Sequence, residues 1–142
     1  MQESNKFKGI INIGNGKYSY DITFGYDNEA SKKYDKSIDR YAPPQPPPSF
    51  FDAALFYDGE RYYSKIVSPK DLNLYLILQY GKEKNIVFEW DNTNWKKNLK
   101  TCKLLDLGNG SLGVDVDMLD KNKYEINDIT ICQLKLIIET KN

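Results

Sequence analysis

The residues with the clearest chemical potential are acidic side chains in one irregular stretch. Asp27, Glu29, Asp35 and Asp39 fall within the loop of residues 25–41. Carboxylate oxygens are the ligands that Ca²⁺ takes in proteins, so the loop predicts a structural calcium ion on Asp27, Asp35 and Asp39. The alternative, which the composition favours, is a solvated loop neutralised by its own cations. Those cations are Lys32, Lys33, Lys36 and Arg40.

Aromatic side chains form a second candidate site. The chain holds 11 tyrosines, six phenylalanines and two tryptophans, and exposed rings can stack on sugars, as they do in carbohydrate-binding modules. Trp95 lies in the polar segment 92–100, while Tyr34 and Tyr41 belong to the acidic loop. These three residues are therefore the predicted ligand-binding set, with polysaccharide as the ligand. The alternative is that such rings fill the core or cap its ends.

Composition argues against several classes of function. The chain has no histidine, which removes the usual general base and the commonest zinc ligand. Lys and Arg together number 20, as do Asp and Glu, so the net charge is zero and a nucleic-acid partner is not expected. Insertion into a membrane is not expected either, because no apolar run approaches the ~20 residues of a spanning helix. Paired carboxylates can cleave glycosides, but their proximity alone means little, so the prediction is a non-enzyme.

These residues must be positioned by β-strands, because apolar and polar residues alternate along most of the chain. The alternation is clearest from Leu72 to Gln79, and Phe51–Tyr57 is apolar on both faces. Gly14-Asn15-Gly16 and Asp58-Gly59 carry the turn residues of hairpins. Together these features predict one all-β domain over residues 1–142. Its expected fold is an antiparallel β-sandwich, immunoglobulin-like or jelly-roll-like, of about 8–10 strands.

A proline-rich strap, residues 42–49, follows the acidic loop. It contains five of the six prolines, at positions 43, 44, 46, 47 and 48. Proline has no N–H to donate, so this segment cannot lie inside a β-ladder. An extended polyproline conformation of ~3.1 Å per residue would let it cross the edge of a sandwich. We therefore expect a strap that shields an edge strand, in preference to a ligand for proline-binding domains.

The end of the chain raises two further questions. Cys102 and Cys132 are the only cysteines, and they are either bonded to each other or two buried free thiols. A bond would close a loop of about 30 residues. The last strand contains the apolar run Leu134–Ile138, which predicts self-assembly if its edge is open.

Most of the chain resembles a known type of module, through residues 25–62 and through a similar tail that contains FEWD at 88–91, LDLG at 105–108, VDM at 116–118 and a final alternating strand. The residues of the first part carry most of its specificity. The similar residues are Gly25, Ala30, Tyr34-Asp35, Asp39, the run APPQPP at 42–47, Phe51-Asp52-Ala53, Phe56 and Tyr62. Together they resemble a secreted β-sandwich module with an acidic loop and a PAPPPPP-type strap. Such modules occur in bacterial extracellular proteins, many of them exported by type IX secretion, and in archaeal surface proteins. This chain departs from the pattern at Lys33, near an expected Asp-Gly, and at Lys65, near an expected aspartate.

The resemblance implies a location and a role. It implies an extracellular or cell-surface module that serves structure, assembly or adhesion and has no established chemistry. Its partners would be other domains or subunits of a surface assembly. The first nine residues lack the apolar core of a signal peptide, so this location implies a leader that was removed or lies outside this chain. The alternative function is a carbohydrate-binding module that uses exposed aromatic rings.

Overall fold

A computed structural model describes residues 6–30, 35 and 39–141. Eleven strands lie within these residues: β1 (Lys6–Gly14), β2 (Ser19–Asp27), β3 (Arg40–Tyr41), β4 (Asp52–Tyr57), β5 (Glu60–Val67), β6 (Leu74–Gln79), β7 (Ile86–Trp90), β8 (Leu99–Asp106), β9 (Asp115–Asp117), β10 (Lys123–Ile126) and β11 (Gln133–Thr140). A single 3₁₀ turn, Trp95–Lys97, precedes β8. Within the same residues, no helix is long and apolar enough to cross a membrane.

Both predicted hairpin turns are confirmed. In the β1–β2 turn, the Asn15 side chain accepts hydrogen bonds from the backbone N–H groups of Lys17 and Tyr18, at 2.9 and 2.8 Å. In the β4–β5 turn, Asp58 and Gly59 both have positive φ, 49° and 82°. Two successive positive φ values match the right-handed twist of the flanking strands, and Asp-Gly is a favoured pair for such a turn. Local residue chemistry therefore sets these two connections.

The predicted β-sandwich is wrong, although the all-β class is confirmed. Ten strands form one continuous sheet in the order β10-β7-β1-β2-β5-β4-β6-β11-β8-β9, and β3 pairs with β5 beside this path. The sheet is mixed, because β2 and β5 run parallel, with Thr23 opposite Ser64. This parallel pair joins the β1–β2 hairpin to the β4–β5 hairpin. The strands that would have formed two facing sheets therefore belong to a single sheet that curls into a nearly closed barrel.

The connection between the two terminal strands brings the barrel close to closure. The Asn92 side-chain amide donates to three backbone carbonyls between residues 118 and 121, at 2.8–3.2 Å. The Trp90 indole N–H also donates to the carbonyl of Met118, at 2.9 Å. These bonds tie the end of β7 to the segment between β9 and β10, so the segment spans the gap between the two ends of the sheet.

The barrel interior is a single apolar cluster. Alternate residues of β1 and β6 point inward and are buried, as the alternation predicted. Strand β4 is buried at four consecutive positions, 52–55, which agrees with the expectation that it is covered on both faces. It pairs with β5 on one side and β6 on the other. Burial of these rows supplies the main stabilising free energy of the fold.

The last strand does not meet the condition set for self-assembly, which was an open edge. Strand β11 pairs with β6 through Gln133–Leu136 and with β8 through Leu134–Thr140. Both of its edges are therefore occupied by ladder hydrogen bonds. The apolar run of β11 reflects its central position in the sheet, since a strand paired on both sides is also packed against the core.

The proline strap lies across interior strands, so its expected role at a sandwich edge is wrong. The Gln79 side-chain amide, at the end of β6, donates to the carbonyls of Pro46, Pro47 and Phe50 at 2.8–3.2 Å. The Arg61 Nε, on β5, donates to the carbonyl of Pro43 at 3.2 Å. Prolines keep only their carbonyl for hydrogen bonding, so the barrel supplies all the donors in these contacts.

Candidate functional site

Trp95 is buried, contrary to the expectation that its polar loop would expose it. The residue is 5% exposed. Its ring packs edge-on against Phe7 and Phe24, each with a centroid separation of 5.6 Å. Gly9 makes room for it, because a Cβ on Gly9 would lie 2.9 Å from the Trp95 ring. The 3₁₀ turn that directs the ring inward leaves no signal in a two-residue alternation.

Tyr41 is the surface aromatic of the predicted ligand-binding set. It is 47% exposed, and its ring stacks on that of Tyr62 with centroids 5.0 Å apart. Trp95 packs on other partners, so these two predicted ligand-binding residues do not form a common platform. Tyr34 lies outside the described residues.

The acidic loop is anchored to the barrel through Asp39. The side chain of Asp39 is fully buried and accepts a hydrogen bond from Lys65 Nζ at 2.7 Å. Its other carboxylate oxygen, Oδ1, accepts the backbone N–H of Ile66 at 3.0 Å. The backbone N–H of Asp35 donates to Oδ2 at 2.8 Å. One carboxylate therefore joins the loop to the C-terminal part of β5.

Lys65 is the centre of this site, and its side chain has no solvent exposure. The ammonium lies 5.5 Å from the ring centroid of Tyr57 and 5.3 Å from that of Tyr62, within the range of cation–π attraction. An Asp35 carboxylate oxygen lies 3.8 Å from Nζ. We call Asp35, Asp39, Tyr57, Tyr62 and Lys65 the Lys65 cluster.

The two phenols of the cluster are held neutral. Burial raises the pKa of Tyr57 well above its usual value, and a hydrogen bond from its hydroxyl to Asp71, at 2.6 Å, raises it further. Burial is also the main cause that raises the pKa of Tyr62. Both rings consequently face the ammonium as uncharged π-systems, and the negative charge nearest to Lys65 comes from carboxylates.

The predicted calcium ligands are not arranged around a common cation position. Both oxygens of Asp39 are occupied by protein donors, and Asp27 Oδ1 accepts the N–H of Glu29 within its own turn, at 3.0 Å. In residues 6–30, 35 and 39–141, no three His, Cys, Asp or Glu side chains are grouped so that they could hold a metal ion. Within the described part of the chain, the cation that contacts Asp39 is Lys65, 26 positions away.

A second buried pair fixes the strap. Arg61 Nη2 donates to Asp52 Oδ2 at 2.8 Å, and the two side chains are 19% and 4% exposed. The same guanidinium donates to the strap carbonyl at Pro43. A planar guanidinium can serve both acceptors at once, so Arg61 connects β4, β5 and the strap.

Asp106, at the end of β8, organises the following loop. Its carboxylate accepts four backbone N–H groups, from Gly108, Gly110, Leu112 and Val114, at 2.8–3.1 Å. Burial alone would raise the pKa of Asp106, but these four hydrogen bonds outweigh it, so the pKa lies below its usual value. The ionised carboxylate of Asp106 therefore holds the loop of residues 107–114, and protonation of Asp106 weakens these contacts.

The Asp106 contribution is expected to disappear in acid. Because its pKa is lower in the folded chain than in the unfolded chain, its stabilisation is complete above the unfolded value of ~3.9 and is lost as the pH falls through the folded value. Asp106→Asn should therefore be less stable than wild type at pH 7, with a difference that shrinks below pH ~4. Urea unfolding at several pH values measures this. A difference that is independent of pH would contradict the assignment.

The two cysteines are free thiols with different surroundings. Cys102 is buried in β8, and Cys132 is exposed. Burial raises the pKa of the Cys102 thiol to about 12. The expectation of two free thiols agrees with this arrangement, whereas the expectation that both are buried is wrong for Cys132.

Sequence reasoning missed the residues that hold this site together. Lys65 enters that reasoning only as a departure from a family pattern, Asp52 and Asp106 only as parts of the resemblance, and Arg61 has no predicted role. One signal was available for Lys65, because it shares its strand parity with Val67 in an otherwise apolar strand end. A charged residue at such a position predicts a buried partner, but it does not say which residue the partner is.

Comparison of this chain with protein-family models, with curated proteins and with solved structures found no match. The resemblance of this chain to secreted surface modules therefore stays a prediction. The geometry differs from that resemblance in one respect, because such modules are β-sandwiches and this chain forms a single curled sheet.

Proposed function

We propose that this chain is a non-catalytic extracellular or cell-surface module with a structural, assembly or adhesion role. The proposal rests on one observation, which is that the buried charged residues serve to attach loops to the barrel. The buried charged residues of the described chain are Asp39, Asp52, Lys65 and Asp106, and each one fixes a loop or the strap to the barrel. Charge in a catalytic cleft instead faces the space that the substrate occupies.

Exposed apolar side chains on several loops support the proposal that the partners are neighbouring domains or subunits. Large apolar side chains are exposed at separate places, among them Tyr18, Phe50, Leu112 and Ile129 at 51–68%. Isolated exposed residues of this kind are ordinary on a soluble protein, but the backbone of Tyr18, Phe50 and Leu112 is hydrogen-bonded to side chains of other residues. Loops held in this way that present apolar side chains suit contacts with neighbouring domains or subunits of a surface assembly.

Labelling of intact cells tests the proposed location. A membrane-impermeant amine reagent is added to intact cells that carry the chain and, separately, to their lysate. We expect exposed lysines such as Lys96 and Lys100 to be modified to the same extent in both. The buried Lys65 is the internal control and should stay unmodified in both. Modification only after lysis would refute a surface location.

A binding assay tests the alternative, a carbohydrate-binding module. One observation favours it, because the exposed ring of Tyr41 is held in a fixed orientation by stacking on Tyr62. A glycan array would then show titratable binding that is lost in Tyr41→Ala. Tyr18→Ala is the matched control, since Tyr18 is 68% exposed on the β1–β2 turn. A structural module should show no titratable binding with any of the three proteins.

A further inference from the structure

The Lys65 cluster contains more than an ion pair requires. An amine and a carboxylate, both without solvent exposure, lie 2.7 Å apart. Asp35 places a second carboxylate 3.8 Å from the same nitrogen, and the N–H of Ile66 binds the carboxylate oxygen that Lys65 does not contact. We propose that Lys65 and Asp39 condense to form an intramolecular isopeptide bond, with Asp35 as the proton carrier.

The reaction balances without any other reagent. Lys65 Nζ passes one proton to Asp39 Oδ2 across their hydrogen bond, which leaves a neutral amine and a neutral carboxyl group. The nitrogen lone pair forms a bond to Asp39 Cγ, and the carbonyl electron pair moves to Oδ1. A second proton leaves the nitrogen for the Asp35 carboxylate, which delivers it to Oδ2. The Cγ–Oδ2 bond then breaks, water departs and the third hydrogen stays on the amide nitrogen.

Each neighbour of the pair has a separate part in this step. The Ile66 N–H lies 3.0 Å from Oδ1, where it stabilises the negative charge of the tetrahedral intermediate in the manner of an oxyanion hole. Asp35 ends the reaction as the carboxylate it was at the start. The rings of Tyr57 and Tyr62 flank the amine, and they keep bulk water from hydrolysing the product.

Burial also provides a driving force. A buried ion pair pays a desolvation penalty for both of its charges, and condensation removes both charges at once. Holding the two groups in contact replaces a bimolecular encounter by an intramolecular one, which gives a very high effective concentration. The departing water gains the freedom of bulk solvent. The same condensation between exposed side chains would also release water, but it would lack the other two advantages.

The bond would join Asp39, immediately before β3, to the C-terminal part of β5. Its two ends are 26 positions apart in sequence. The segment between them contains the proline strap and β4. Unfolding of this segment would then be restrained by a covalent bond in addition to the contacts of Gln79 and Arg61.

The intact mass of the denatured full chain tests the proposal. We expect a mass below that of the sequence by one water molecule, about 18 Da. Tryptic digestion should yield a branched peptide that contains both Asp39 and Lys65. The exposed pair Lys103–Asp115, at 3.3 Å, is an internal control that should give unmodified peptides. A chain with the full sequence mass would overturn the proposal and leave an ion pair only.

Three variants separate the covalent step from the fold. Lys65→Arg keeps a positive charge beside Asp39 but lacks the amine nucleophile, so its mass should be that of its sequence. Asp35→Asn keeps the reacting pair and should condense far more slowly, whereas Asp35→Glu should restore the reaction. All three are compared after circular dichroism has established that they fold. Loss of water in Asp35→Asn at the wild-type rate would overturn the role of Asp35.

Discussion

Asp39→Ala is expected to have a free energy of unfolding about 3–5 kcal/mol below that of the ion-paired, uncondensed chain, because it leaves a buried ammonium without its closest counter-charge. Lys65 Nζ has no solvent exposure and lies 2.7 Å from Asp39. The same substitution removes the acceptor of the Ile66 N–H, which is also buried. The remaining carboxylate, Asp35, lies 3.8 Å from the ammonium and compensates only in part.

Urea unfolding measures this loss, and the double variant Asp39→Ala/Lys65→Met is its control. Neither protein can form the proposed isopeptide bond, so the comparison isolates the cost of the unpaired charge. The double variant should be the more stable, since an apolar side chain of similar length in a buried position is often neutral or stabilising. Equal stability of the single and double variants would show that the ammonium finds another partner or reaches solvent.

Trp95→Ala is expected to cost about 3–5 kcal/mol, the usual range for truncation of a buried aromatic ring. The ring is 5% exposed and makes edge-on contacts with Phe7 and Phe24. Its removal would leave a cavity between β1 and the 3₁₀ turn, next to Gly9. The backbone of β1 is held by ladder hydrogen bonds and that of the 3₁₀ turn by turn hydrogen bonds, so the site can collapse only in part.

Thermal and urea unfolding of Trp95→Ala, Trp95→Phe and Tyr41→Ala check this result. Trp95→Phe keeps an aromatic ring in the site and should lose less than Trp95→Ala. Tyr41→Ala is the surface control and should stay within about 1 kcal/mol of wild type, because Tyr41 is largely exposed. If Trp95→Ala were as stable as Tyr41→Ala, the ring would not be part of the core. Any loss of sugar binding in Trp95→Ala must therefore be separated from unfolding.

Part of the fold could be predicted because it depends on neighbouring residues. The turn at Asp58-Gly59 requires two positive φ values, which these two residue types adopt readily. The inward rows of β1 and β6 follow from alternation, since side chains of a strand point to opposite faces. The prolines of the strap likewise exclude a ladder wherever they occur. Each of these features is decided within a few residues.

The sequence predicts which loop contains the candidate site, but it does not predict which residues meet there. The acidic loop was identified as a place of chemical interest, and Asp39 lies at its end. Its partner, Lys65, is 26 positions away and stands out in the sequence only as a departure from a family pattern. The distance between two such groups depends on how β3 and β5 meet, which no local spacing encodes. The proposed calcium ligands do not surround a common position, because their arrangement likewise depends on how distant segments meet.

By itself, the sequence determined that this protein is all-β, where its hairpins turn and where its chain cannot form a ladder. Only the tertiary structure decided that the strands form one curled sheet, because the parallel pairing of β2 with β5 depends on contacts between distant segments. It also decided that Trp95 and Lys65 are interior residues. Alternation says which residues share a face, but burial of that face depends on what the rest of the chain places against it.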